Sequence, residues 1–303
     1  MSTAETVSSQ ARFTEAMERF QQRIDGHFGV MVRDFESGLE LTWNHEDVFP
    51  TASTMKVPLL YGLYQMAEAG EIDLTSRVTL SPELRVPGSG VLQHFDEGLQ
   101  PTVRDLAELM ITVSDNEATD LLYRMLGGER IARTLDASGL HQTHLPHTTF
   151  QLLARIAGFD PDDTSVSYDD LLARFEEEPS TPEPGDSTGD FNGSSPADMV
   201  RLLGLIESGE GLSDESRTAI IDIMKHQNFN TIIPGRLPEN RHIETAHKTG
   251  SVRGVRNDAG LVYAPGVRYA IVIMSKDLAD TNEAVVQFAH ISRWVWDHIA
   301  DDV

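Results

Sequence analysis

Pro50-Thr51-Ala52-Ser53-Thr54-Met55-Lys56-Val57-Pro58-Leu59-Leu60 carries a serine and a lysine three positions apart, followed by an apolar run that ends at Gly70. A helix from roughly 53 to 69, stopped by Gly70, puts positions i and i+3 on one face about one turn apart. The Lys56 amine then reaches the Ser53 hydroxyl. Ser53 would stand in the first turn, where free backbone N–H groups and the helix dipole favour negative charge. A hydroxyl, a candidate base and an anion-friendly backbone thus meet at one point. The alternative is a capping serine with a solvated lysine, and the partners supplied by the rest of the chain decide between the two. Pro58 is expected beyond the first turn, where it should bend the helix.

Outward from this stretch, residues 10 to 25 space Phe13, Met17, Phe20 and Ile24 as an amphipathic helix. Residues 29–35 and 39–43, joined by Glu36-Ser37-Gly38, read as a β-hairpin. A short strand is expected over 77–80. Thr102 and Asp105 form a capping-box pattern at the start of a helix over 103–113. Ser114-Asp115-Asn116 interrupts that helix, and further helices are expected over 117–126 and 129–137. Ser195-Pro196 opens another, and one more spans about 213 to 226. The last third turns to strand periodicity over 243–249, 257–264 and 267–275, then ends in a helix over 281–300. With strands at both ends and helices between, the expected class is α+β. Both termini build one antiparallel sheet flanked by N- and C-terminal helices, beside an all-helical middle lobe. The whole chain, 1–303, is read as a single catalytic domain. Its α/β lobe takes in about 10–50 and 240–300, its helical lobe about 53–230, and the cleft lies between them.

Composition narrows the partners. No uninterrupted apolar run approaches the ~20 residues that span a bilayer. The N-terminus shows neither a basic start nor an apolar segment of signal type, so a cytoplasmic setting is expected. There is no cysteine, which excludes disulfides, thiolate metal sites and a cysteine nucleophile. With 24 Lys+Arg against 48 Asp+Glu, the net charge is −24, which repels nucleic acid and anionic membranes. Such a balance suits a high-salt, halophilic cytoplasm in which self-repulsion is screened. Only Lys56, Lys225, Lys248 and Lys276 supply lysine, so its placement is not casual.

Two of those four lysines fall in a set of motifs. Ser53-x-x-Lys56, Ser114-Asp115-Asn116 and Lys248-Thr249-Gly250 follow one another in that order, with Ser53 and Ser114 61 positions apart. The combination resembles class A β-lactamases and, more broadly, penicillin-binding proteins. The resemblance runs from about 15 to 300. It includes Gly88-Ser89-Gly90-Val91-Leu92, Ser195-Pro196-Ala197-Asp198-Met199 and Arg256-Asn257-Asp258. As an acyl-transfer site the residues make chemical sense. Ser53 is the nucleophile, and Lys56 is its base once burial and a second cation, Lys248, lower its pKa. Ser114 can pass a proton to the leaving nitrogen, although Ser114 or Asp115 can equally cap the next helix. Asn116 suits a substrate side chain, Lys248 and Thr249 a substrate carboxylate, and Gly250 a close strand edge. The resemblance implies an oxyanion hole from the backbone N–H groups of Ser53 and Ser251, with no metal and no cofactor.

The family also uses a Glu on an Ω-shaped loop to activate water for deacylation. Here residues 160–190 hold eleven acidic residues, Arg174 as the single basic one, and four prolines. They read either as a disordered acidic insertion or as an ordered loop tied to the site, the Ω-like segment spanning about 160–195. Arg174-Phe175-Glu176, Pro184-Gly185-Asp186 and Ser195-Pro196 echo the family pattern, which makes Glu176 the candidate deacylating base. Ser180 stands where an Asn should help hold the water; Glu177, Glu178 and Glu183 are the other carboxylates in reach. The implied function is a β-lactamase-like serine hydrolase acting on cyclic amides, a setting of antibiotic resistance. Its partner is a small β-lactam or related carboxylate-bearing amide or ester, and the chain is read as a monomer. The alternatives are a cytoplasmic serine esterase, amidase or peptidase with the same site, and a penicillin-binding or sensor protein that acylates without turnover.

Overall fold

The two ends of the chain meet in one sheet. The computed structural model describes residues 3–177 and 191–300. Helix α1 (Thr3–Gln21) leads into β1 (His27–Asp34) and β2 (Glu40–Trp43). The last third supplies β5 (Glu244–Val252), β6 (Val255–Ala264), β7 (Val267–Lys276) and α10 (Thr281–Ala300). The sheet order is β2-β1-β7-β6-β5, antiparallel throughout, with Val32 opposite Ile271 and Leu261 opposite Ala270. Alternation along the strands sorts the two faces. Phe28, Val30, Val32, Tyr269, Ile271 and Ile273 pack under Phe13 and Met17 of α1 and Phe288, Ile291 and Val295 of α10. Met31, Ala246, Ala259, Leu261, Val272 and Met274 face the helical part. Because helices cover both faces, β6 and β7 are buried along almost their whole length. Each fully buried Phe or Ile there contributes about 1.5–3 kcal/mol over its exposed state.

The helical part is built on α2 (Lys56–Glu68), α3 (Val103–Thr112), α4 (Asn116–Leu126) and α5 (Gly128–Ala137), then α8 (Pro196–Ser208) and α9 (Asp214–Lys225). Helix α2 is apolar all round, with ten of its thirteen residues buried, and is the helix the others surround. This is the expected α+β class, and the capping box of Thr102 with Asp105 starts α3 as expected.

Three local expectations change. Pro58 is only the third residue of α2, so its missing N–H falls among those a helix start leaves free, and it need not bend the helix. The strand expected at 77–80 reduces to a bridge between Arg77 and Thr102; Val78 N and Leu80 N still donate to Pro101 O and Leu99 O, but Pro101 has no N–H to return. The acidic stretch begins as structure: α6 (Thr149–Ile156) and α7 (Tyr168–Glu176) each start on a capping box and share a small core of Ala154, Ala157 and Leu171. The signal for α6 stands in the sequence as Thr148-x-x-Gln151 before an apolar run. Finally β3 (Phe49–Pro50) pairs with β4 (Gly193–Ser194), joining the segment before Ser53 to the segment before α8.

Candidate active site

Ser53 lies in a single 3-10 turn, Ala52–Met55, between β3 and α2, rather than in α2 itself. Side chains at i and i+3 eclipse in that geometry, so Ser53 and Lys56 stay on one line. Ala52 enters the turn at φ +45°, a left-handed conformation that costs a non-glycine residue about 1–2 kcal/mol. The surroundings hold it there. Thr54 Oγ1 donates to Thr51 O at 2.7 Å, and Thr51 N and Oγ1 both donate to Asn192 O. Asn257 Nδ2 on β6 donates to Pro50 O at 2.7 Å and to Thr51 O at 3.1 Å. Gly250 on the edge strand β5 lies against the same turn, and a Cβ there would stand 2.6 Å from Thr51 O and 3.1 Å from Ser53 N. Only glycine lets the strand edge approach the nucleophile's backbone so closely.

Lys56 is fully buried and bridges from α2 to the turn before α4. Its Nζ donates to Ser114 O at 2.7 Å, to Ser114 Oγ at 3.0 Å and to Asn116 Oδ1 at 3.0 Å. Three acceptors match the three hydrogens of an ammonium, and loss of one proton leaves a lone pair beside the Ser114 hydroxyl. Burial pushes the amine down to about 7, against the pull of the Asp115 and Asp120 carboxylates. A lysine that is half neutral near pH 7 is a workable base.

Ser114 sits at φ +55° in the tight turn between α3 and α4. Asp115 caps α4 by accepting from Ala118 N at 2.9 Å, so the capping reading is correct for this residue. Its other oxygen accepts from Val91 N and Leu92 N, while Asn116 Nδ2 donates to Pro87 O. The Gly88–Leu92 loop is thereby tied to the Ser-Asp-Asn turn. Lys248 is likewise fully buried and donates to Thr249 O at 2.8 Å. Burial and then the neighbouring Lys56 hold its pKa well below the ordinary value, opposed by Asp258. Asp258, opposite Thr249 on β6, accepts from Ile233 N and pairs with His247 Nδ1 at 2.8 Å.

Ser53, Lys56, Ser114, Asn116, Lys248 and Gly250 are therefore brought together, with Thr249 and Ser251 following on β5. Glu176 is not joined to them. It is exposed on the last turn of α7, and among the described residues no hydrogen bond or ion pair links it to Ser53 or Lys56. Glu177 is exposed and pairs with Arg174 at 3.1 Å; Glu178, Ser180, Glu183 and Pro184-Gly185-Asp186 lie outside the described residues. Sequence reasoning passed over Asp120 and Asn192, and named Asn257 without a role. Asp120 is one helical turn beyond Asn116 on the same face of α4, a spacing that can be read directly. The role of Asn192 depends on a contact across 141 positions.

A buried lysine three positions after Ser53, bound to the hydroxyl of the Ser114 turn and with a glycine-bearing strand edge closing the other side, is the arrangement that the Ser-x-x-Lys resemblance predicts. The chain belongs to the beta-lactamase enzyme family, which matches residues 12–299, and is a class A β-lactamase-like serine hydrolase. It is 26% identical over 279 residues to the beta-lactamase ROB-1 of Haemophilus influenzae, covering 91% of this chain and 80% of that one. It is 27% identical to beta-lactamase 1 of Streptomyces cacaoi, over 87% of this chain and 76% of that protein. A beta-lactamase structure from Sphaerobacter thermophilus superposes with TM-score 0.80 at 25% identity, covering 95% and 97% of the two chains. PBP-A, of which a substituted form was solved as an acyl-enzyme complex with penicillin G, superposes with TM-score 0.76 at 28% identity over the same shares.

Proposed function

We propose that the chain opens a β-lactam amide through a covalent acyl-enzyme on Ser53. The observation that carries this reading is the buried Lys56 amine, bonded to Ser114 and Asn116 and brought down to about 7. Neutral Lys56 takes the Ser53 proton as Oγ attacks the amide carbon. The new C–O bond replaces the C–N bond, Ser114 Oγ hands a proton to the departing nitrogen, and Lys56 passes the proton it took to Ser114 Oγ, 3.0 Å away, and is neutral again. The backbone N–H groups of Ser53 and Ser251 receive the developing oxyanion, a reading supported by the close approach of Gly250 to Ser53 N. Lys248 and Thr249 bind the substrate carboxylate, and Asn116 holds both Lys56 and the substrate side chain. The names of the relatives point to the same substrate class.

A fluorescent penicillin should label the protein, and Ser53→Ala should abolish the label; undiminished labelling would place the nucleophile elsewhere. A second reading, a penicillin-binding protein that acylates and holds the acyl group, is favoured by one observation, the exposed Glu176 that no bond among the described residues links to Ser53 or Lys56. Nitrocefin separates the two: steady turnover fits hydrolysis, whereas a single stoichiometric burst fits the acyl-holding protein.

A further inference from the structure

The segment between α5 and α6 is fastened on two sides to the residues around Ser53. On one side Asn192 accepts from Thr51 N and Oγ1 through its carbonyl, and its side-chain amide lies 3.1 Å from Met55 Sδ. The same Asn192 side chain accepts from His147 N at 3.0 Å and donates to His147 O at 2.8 Å. One residue therefore clamps both flanks of the nucleophile turn to His147. On the other side Asp120, one turn from Asn116 on α4, accepts from Thr149 N at 2.6 Å and Phe150 N at 2.9 Å. Asp120 also acts electrostatically on Lys56. The 147–149 segment is thus fastened through His147 to the Ser53 turn and through Thr149 to the helix that presents Asn116 to Lys56.

The Thr149 side chain is 8% exposed; its Oγ1 lies beside the Asp120 carboxylate and helps hold it charged, yet among the described residues it makes no hydrogen bond of good geometry. A buried hydroxyl short of a well-formed bond carries a desolvation penalty, so its retention on a segment fastened to the Ser53 turn needs a reason. The carboxylates that act on Lys56 do not supply a free base for water. Asp115 is taken up by Val91 N, Leu92 N and Ala118 N, and Asp120 by the start of α6.

We infer that the Thr149 hydroxyl holds the water that hydrolyses the acyl-enzyme on Ser53, with the Lys56 amine as proton acceptor. This rests on the acyl-enzyme reading above and deepens it. The water oxygen bonds to the ester carbon, its proton passes to Lys56, the C–O bond to Ser53 Oγ breaks, and Lys56 returns the proton to that oxygen. The released acid and the free serine balance the step. Thr149 is a positioning residue, because the proton never rests on it.

Stopped-flow mixing with nitrocefin, followed by intact-protein mass spectrometry of the decaying adduct, separates acylation from deacylation. Thr149→Val, nearly isosteric, should leave the acylation burst as in the native chain and slow adduct decay roughly tenfold, the worth of one hydrogen bond. Thr149→Ser should restore most of the decay rate, a rescue that a packing role for the methyl group would not give. Matching thermal midpoints show that the variants are folded. Native decay in Thr149→Val overturns the inference while leaving the acyl-enzyme reading intact, as does slowed decay in Glu176→Gln with Thr149→Val unaffected. Absence of any burst in the native chain overturns both.

Discussion

The contact between α2 and α4 and the arm made by α6 and α7 treat charge in opposite ways. At the first, one lysine is sealed from solvent and bonded three times, to groups 58 and 60 positions away. On the arm, Arg174 and Glu177 pair in the open at i and i+3, and the capping boxes of α6 and α7 bond only within three residues. Burial moves the pKa of Lys56 down, whereas on the arm the exposed Asp170 carboxylate is held below its usual range by the Ser167 hydroxyl and backbone N–H that start its own helix. Carboxylate density alone therefore does not mark a working site. The acidic stretch attracted attention in the sequence, yet its described carboxylates are the solvated ones.

That contrast can be broken most strongly at Lys56. Lys56→Met should lower the acylation rate by roughly 10²- to 10⁴-fold, the usual worth of a general base, as read from the nitrocefin burst. In the native chain the acylation rate should rise with pH through about 7 and level off above it, because only the neutral amine accepts the Ser53 proton. A flat profile from pH 5 to 9 would remove Lys56 as the base. Gly250→Ala comes next. The new Cβ meets backbone at Thr51 O, which cannot swing aside, so overpacking should cost about 1–3 kcal/mol in a denaturant melt and weaken acylation as well. The smallest effect belongs to the arm: Glu177→Ala removes an exposed pair with Arg174 and should change stability by about 0–1 kcal/mol, with the burst unaltered. A large loss there would mean that α7 supports the site more closely than its contacts show.

Much of the site could be read without coordinates, for a definite reason. Ser53 and Lys56 share one turn, Ser114 and Asn116 another, and Lys248 to Ser251 one strand, so local spacing carried each motif intact. The gap at Asp120 was of another kind, since its i+4 spacing from Asn116 was available but acquires meaning only when Lys56 lies across from both. Thr149 and Asn192 had no such signal at all. A threonine in a capping pattern and an asparagine in a polar loop look ordinary, and only the packing of α6 against α4 shows what they touch.

The amino-acid sequence by itself determined the α+β class, the order of the helices and strands that build the sheet and the centre of the helical part, and the three motifs that come together. Hydrophobic period and motif spacing are properties of neighbours along the chain. Tertiary structure alone decided that Ser53 stands in a 3-10 turn and that the 147–149 segment, rather than the end of α7, is clamped beside it. Those outcomes depend on burial and on bonds spanning up to 207 positions, such as the one from Asn257 to Pro50, and no local pattern records them. The Ser-x-x-Lys stretch thus carries the nucleophile and base of the proposed reaction, and the folded surroundings lower the lysine's pKa and supply the Ser114 hydroxyl that it bonds.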